Sequence, residues 1–325
     1  MTALAKALAG HQEAWHEWRS ALGSERMHHA WILAGPQGVG KGLFARAAAA
    51  ELVAEPGMPQ PAADRHPDIL LPEHPPENKD EAKKRDDGQP YRRKRSIPID
   101  EIRAIQHRLV TRPTLGRRRA VIIDPADDLE KNAVNALLKS LEEPPAGTYF
   151  LLVAHRPGRL LPTIRSRCRM LRFGPLPEAE VDRILRAEAP EADAATRAAA
   201  IAAAEGSPGA ALRFVEQDLG KLHQAMQRLI REGDDHFELR GALAEAIGAR
   251  PDRERQQAAA DLARAIVAAE LRHGSRARQE RVIAVHGDLV RLGAQLPTYN
   301  FDPALVAMEI GALLASLAMP REAAS

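Results

Sequence analysis

Cysteine is nearly absent from the 325-residue chain, Cys168 being the only one. That count excludes an internal disulfide framework and a cysteine-rich zinc cluster. Aromatic residues amount to 4%, too few for a surface that stacks single-stranded bases. No apolar run approaches the roughly 18 residues a membrane-spanning helix needs. Residues 1–16 lack the basic, then apolar, then small-residue succession of a secretory signal. A cytoplasmic protein with no membrane contact is therefore expected. An excess of one charge sign is missing too: 46 Lys and Arg face 44 Asp and Glu, a net +2, so composition alone does not call for nucleic acid.

What is present is 45% hydrophobic and 28% charged, the balance of a globular chain with room for two or three domains. Apolar runs at residues 30–34, 68–71, 120–123, 149–154 and 170–173 predict five short strands. Between them, helical periodicity covers 41–53, 99–110 and 128–143. In the second of these, Ile99, Ile102, Ile105, Leu109 and Val110 share a face. In the third, Ala133, Leu137, Leu138 and Leu141 do so, before Pro144-Pro145 stops the helix. Strands alternating with helices predict an α/β domain, a parallel sheet with helices on both faces. From about residue 175 the pattern is helical throughout, with segments near 177–187, 194–205, 206 onward, 220–232, 236–248, 252–273, 277–295 and 302–318, punctuated by Gly and Pro.

Residues 72–98 break the alternation with eight Lys or Arg, six Asp or Glu and several prolines. The expectation there is a mobile surface loop, with a contact for an acidic or nucleic-acid partner as the alternative. Arg92-Arg93-Lys94-Arg95 and Arg117-Arg118-Arg119 are expected to be solvated surface runs, with phosphate contact as their alternative. The twelve histidines show no metal spacing; His11 and His29 are candidates for the surroundings of a nucleotide base.

Gly35-Pro36-Gln37-Gly38-Val39-Gly40-Lys41-Gly42 follows a strand and opens a helix. That is the context of a phosphate-binding loop, whose amides and helix N-terminus converge on an anion while Lys41 meets the terminal phosphates. Gly42 stands where a magnesium-holding hydroxyl is usual. Asp124 ends the third strand and could orient magnesium. Pro125 occupies the place of the glutamate that would polarise water, and Asp127, a turn later, is a displaced substitute. Nucleotide binding is expected, tight metal holding is not, and the hydrolytic machinery is incomplete. A tight turn without a ligand is the alternative. In Ser166-Arg167-Cys168, Arg167 could reach a phosphate on a neighbouring subunit or be a plain surface cation. Cys168 has no activating partner pattern and is expected to be a buried small apolar residue.

Three stretches together resemble bacterial clamp-loader subunits of DNA polymerase III: Asn135-Ala136-Leu137-Leu138-Lys139-Ser140-Leu141-Glu142-Glu143-Pro144-Pro145, Phe150-Leu151-Leu152, and Ile164-Arg165-Ser166-Arg167-Cys168. His66-Pro67-Asp68 and Gly206-Ser207-Pro208-Gly209-Ala210-Ala211-Leu212 extend the resemblance over residues 10–215. It implies an AAA+ architecture: a nucleotide-binding domain at 1–174, a small helical lid at 175–217 and an all-α collar for oligomerisation at 218–325. It also implies a hetero-oligomeric ring with motor (gamma/tau) and delta subunits that loads the sliding clamp onto primer–template DNA. In this chain's branch the resemblance implies a rigid stator, with Arg167 completing the ATP site of the adjacent motor in trans. The cofactor would be ATP or ADP at residues 35–42 and Asp124, with weak Mg2+ at most. Motor subunits carry Ser or Thr, Glu and Arg where this chain has Gly42, Pro125 and Gly209. Family members that hold zinc do so through cysteines absent from residues 51–65, so no zinc is expected. An active motor of the same architecture and a small-molecule kinase are the rival readings. Polymerase chemistry is not expected of the chain itself. Leu305, Met308, Ile310, Leu313 and Leu314 are candidates for collar contacts or for the domain's own core.

Overall fold

Strands that are largely apolar settle where both faces are covered, and four such strands, with a fifth of sequence Arg-Met-Leu-Arg, organise the first part of the molecule. The structure is a computed structural model that describes residues 10–318 apart from 25, 272–274, 297–298 and 300. The chain divides into two compact units, Met1–Leu176 and Pro177–Ser325.

In the first unit, α1 (Gln12–Leu22) precedes β1 (Ala30–Ala34), α2 (Lys41–Val53), β2 (Ile69–Leu70), α3 (Lys79–Asp86) and α4 (Ile99–Leu109). Then follow β3 (Arg119–Ile123), α5 (Lys131–Glu142), β4 (Thr148–Ala154), the single turn α6 (Pro162–Arg165) and β5 (Arg169–Arg172). The strands form one parallel sheet in the order β2-β3-β4-β1-β5. Alternate side chains of β1 enter different cores. Trp31 and Leu33 pack with Trp18 of α1 and Phe44 and Leu52 of α2. Ile32 packs with Ile102 and Ile105 of α4 and Leu137 of α5. Val110 departs from its expected inward face: α4 ends at Leu109, and Val110 is 86% exposed.

Residues 72–98 are not the structureless loop their composition predicts. Asn78 caps α3 by accepting from the Glu81 amide, and Pro76 pairs with Arg93 in an antiparallel bridge. The buried Glu81 holds the excursion together, accepting from Lys84 Nζ at 2.7 Å and from the Arg92 amide at 2.6 Å. The Glu81 carboxylate and the Asn78 cap act together with backbone bonds of Glu77, Lys94 and Ile97 and with the fully buried Ile97 side chain to order the segment.

Arg119 also departs from its expected place in a solvated run. It lies within β3, 2% exposed, 3.6 Å from the fully buried carboxylate of Asp68. Its guanidinium donates to the carbonyls of Arg108, Thr111 and Arg112. Asp68 accepts the amides of Thr114 and Leu115 at 2.6 and 2.8 Å. His66 Nδ1 accepts from the Asp68 amide, which accounts physically for the His66-Pro67-Asp68 triplet.

The second unit consists of α7 (Glu178–Glu188), α8 (Ala194–Ala204), α9 (Pro208–Glu216), α10 (Gly220–Glu232), α11 (Glu238–Ile247), α12 (Arg253–Glu270), α13 (Arg276–Gln295) and α14 (Pro303–Ala315). Side chains of Asp193, Ser207, Asp252, Ser275 and Asp302 accept first-turn amides and fix five of these starts. Ile310 and Leu314 are fully buried within the unit's own core, whereas Leu305 is 69% exposed.

Asp68→Ala leaves the Arg119 guanidinium buried without its counter-charge and two amides without acceptors. A loss of about 3–5 kcal/mol is expected, measured as an earlier first transition in urea unfolding. An unchanged midpoint would show that the pair is not needed.

Candidate functional site

The glycine-rich loop leaves the sheet from the C-terminal end of β1. The Gly35 amide donates to Ala154 O of β4 at 3.2 Å, Pro36 and Gln37 form an exposed crest, and Val39 plugs into the first core at 1% exposure. Gly38 and Gly40 have φ of 81° and 102°, left-handed conformations that turn the chain into α2 without a side-chain clash. Lys41 begins the helix. Its Nζ donates to the Gly35 and Pro36 carbonyls at 2.7 and 2.5 Å, drawing the loop around the ammonium. Burial lowers the pKa of Lys41 from 10.5 to about 8, against the opposing pull of Asp124 and Asp127.

His11 stands at this loop, its Nε2 donating to the Val39 carbonyl at 2.8 Å and its ring edge-on to Phe173. His29 does not. It precedes β1, at the strand end away from the loop, where Nε2 meets the Leu141 carbonyl and the ring stacks on His28.

Asp124 follows β3 and faces the first turn of α2. Arg46, one turn beyond Gly42, donates through Nη1 to Asp124 Oδ2 at 3.3 Å and to the Gly42 carbonyl at 3.1 Å. A Cβ on Gly42 would fall 2.4 Å from Asp124 Oδ2. Asp127 lies in a 3-10 turn (Ala126–Asp128), and its carboxylate accepts the amides of His155 and Arg156 at 2.6 and 2.8 Å. It clamps the end of β4. The Nδ1 of His155 is buried without a hydrogen-bond partner. Burial lowers its pKa first, and the charge of Lys41 lowers it further.

Arg167 lies elsewhere on the unit, just beyond α6. Its guanidinium donates to Thr163 O at 3.0 Å and pairs with Glu142 at the end of α5 at 2.8 Å, the two side chains being 36% and 50% exposed. Arg169 is engaged differently, paired with Glu17 and lying over the Trp31 ring. Burial pushes the Cys168 thiol up to about 12, which removes it as a nucleophile.

The family described as DNA polymerase III, delta subunit, matches residues 10–177. The chain belongs to that family. A relative from Pseudomonas aeruginosa, the DNA polymerase III subunit delta', is 33% identical over 230 residues, 66% of this chain and 65% of the relative. The subunit delta' of Escherichia coli K12 is 38% identical over 149 residues, 45% of this chain and 44% of the relative. The matched segments thus span less than two thirds of either relative. A Thermotoga maritima DNA polymerase III gamma subunit-related structure superposes with a TM-score of 0.52 at 20% identity, covering 94% of this chain and 99% of that one. That likeness bears on the fold alone, a parallel-sheet domain followed by helices, as expected.

In this delta-subunit family member the loop residues 35–42, Asp124 and His11 come together, and Arg167 stands apart at the surface. Arg46, Glu142 and His155 were not among the sequence candidates. Arg46 had a signal: it lies four residues after Gly42, one helical turn on and therefore on the same face. His155 and Glu142 acquire their places only from tertiary contacts.

The depressed value of Lys41 has a direct consequence. Between about pH 8 and 10.5 the folded state binds fewer protons than the unfolded state. A stability penalty is then fully present below pH 8 and is relieved as the pH rises through that window. Nitrogen-detected NMR of the lysine side chains should find one ammonium titrating near 8 that disappears in Lys41→Met. A midpoint near 10.5 would refute the desolvated setting.

Proposed function

We propose that this chain acts as a non-hydrolysing, delta-prime-type member of a DNA polymerase III clamp loader. On this reading it joins gamma/tau motor and delta subunits in a hetero-oligomeric ring that loads the sliding clamp onto primed DNA during replication. Its own loop binds ATP or ADP, and Arg167 completes the nucleotide site of a neighbouring subunit.

The observation that carries this reading is the mismatch between two halves of one site. The phosphate-binding half is whole: a loop with left-handed glycines, a helix start and a buried lysine. The hydrolytic half is spent, with Asp124 facing Arg46, Pro125 in place of a base and Asp127 holding two backbone amides. A loop that can hold phosphates beside a corner that cannot activate water fits a fixed member of a ring better than a motor. The delta' relatives point to the same branch.

The geometry of Arg167 supports a role outside its own unit. Its ion pair with Glu142 is half-exposed, and such pairs are worth about 0–1 kcal/mol. A phosphate anion can therefore draw the guanidinium away at little cost. The planar fork matches phosphate oxygens.

Two measurements test the reading. Lys41→Ala should abolish nucleotide binding by the chain, and unchanged affinity would remove the loop from the account. In a reconstituted clamp loader of unchanged assembly by gel filtration, Arg167→Ala should silence one motor site, since such an arginine is worth about 10³–10⁵ in rate at the site it serves. DNA- and clamp-stimulated ATP turnover equal to wild type would return Arg167 to a structural cation.

A further inference from the structure

Phosphate-loop proteins that hydrolyse nucleotide hold magnesium with a hydroxyl after the loop lysine and an acidic residue at a strand end. Neither half of that arrangement fits here. Gly42 supplies no hydroxyl, and a Cβ at that position would meet Asp124 Oδ2 at 2.4 Å and Arg46 Nη1 at 3.3 Å, so the carboxylate and its guanidinium partner occupy the space a serine or threonine side chain would enter. The carboxylate that would face the metal faces a guanidinium instead: Arg46 Nη1 stands 3.3 Å from Asp124 Oδ2 and 3.1 Å from the Gly42 carbonyl. One cation is thus already seated between the first turn of α2 and the end of β3.

We infer that the nucleotide site of this chain works without a divalent cation, Arg46 being the built-in counter-charge that keeps Asp124 from repelling the phosphates. This rests on the nucleotide-binding reading above and adds to it the ionic form of the ligand, a metal-free nucleoside polyphosphate. The charge arithmetic is simple. Lys41 and the loop amides attract the phosphates, and a bare Asp124 would oppose them across a partly desolvated space. Magnesium cancels that carboxylate in a motor. Here the cancellation is covalently attached, one helical turn from the loop, and does not depend on metal concentration.

The structure also accounts for why Arg46 holds its position. Its side chain spans from α2 back to the carbonyl of its own helix's first turn, so the same guanidinium serves Gly42 and Asp124.

The test uses the full chain and titrates ADP and ATP by isothermal calorimetry, once with EDTA and once with excess magnesium. Wild type should bind with affinities that agree within about twofold between the two conditions. Arg46→Met, which keeps the aliphatic stem, should lose about tenfold or more in EDTA, the order expected for a charged partner removed. Magnesium should restore part of that loss. The double variant Arg46→Met/Asp124→Asn, with neither charge, should bind in EDTA within about threefold of wild type. Thermal melting of each variant controls for folding, and the rescue by the double variant keeps the inference testable if the single variant is less stable. Wild-type binding that requires magnesium would overturn the inference and leave nucleotide binding standing. Arg46→Met binding equal to wild type in EDTA would overturn the role of Arg46. No binding of either nucleotide in either condition would overturn the nucleotide reading itself, and this inference with it.

Discussion

The close approach of α2 to the sheet is the constraint on which the site depends. Strand β1 is paired on both edges, by β4 and β5, and all five of its residues are buried. The helix that follows is lined with buried alanines, Ala45, Ala47, Ala48 and Ala49, whose small side chains let its axis settle near the strands. Because β3 and β4 lie under the same helix, its first turn is carried up to the end of β3. Gly42 then faces the Asp124 carboxylate, whose Oδ2 would lie 2.4 Å from a Cβ at that position.

From that contact follows the electrostatic character of the site. Lys41 is desolvated and holds two loop carbonyls, which keeps the loop shaped around a positive charge. The carboxylates nearby are each spoken for, Asp124 by Arg46 and Asp127 by two amides at the end of β4. A carboxylate that accepts two backbone amides serves as a structural clamp, here at the end of β4. The loop is drawn around a buried ammonium, and both neighbouring carboxylates are engaged by partners of the protein itself.

Arg167 shows the opposite organisation. It is tethered by exposed contacts to Glu142 and Thr163 rather than locked in a core, so its position is held but its guanidinium remains available. The charged excursion around α3 belongs to neither the loop nor this arginine. It is ordered by Asn78 and Glu81 together with backbone bonds and the buried Ile97 side chain, although composition alone assigns the segment to solvent.

The sequence by itself determined the sheet, the loop and the helical second half. The period of apolar residues reflects which faces are covered, and glycine spacing reflects backbone conformations that other residues resist. It also makes Gly42 after Lys41 and Pro125 after Asp124 visible as letters. Only the tertiary structure decided which charges meet. Arg119 looked like one of three solvated arginines, yet it is buried because β3 carries it against Asp68, some fifty residues earlier. Arg46 looked like any helical arginine, yet it faces Asp124 across the gap between a helix and a strand. His29 looked as close to the loop as His11, but the length of β1 separates them. Such pairings depend on distances between elements far apart along the chain. Local patterns carry the direction of each side chain, and packing alone sets what it meets.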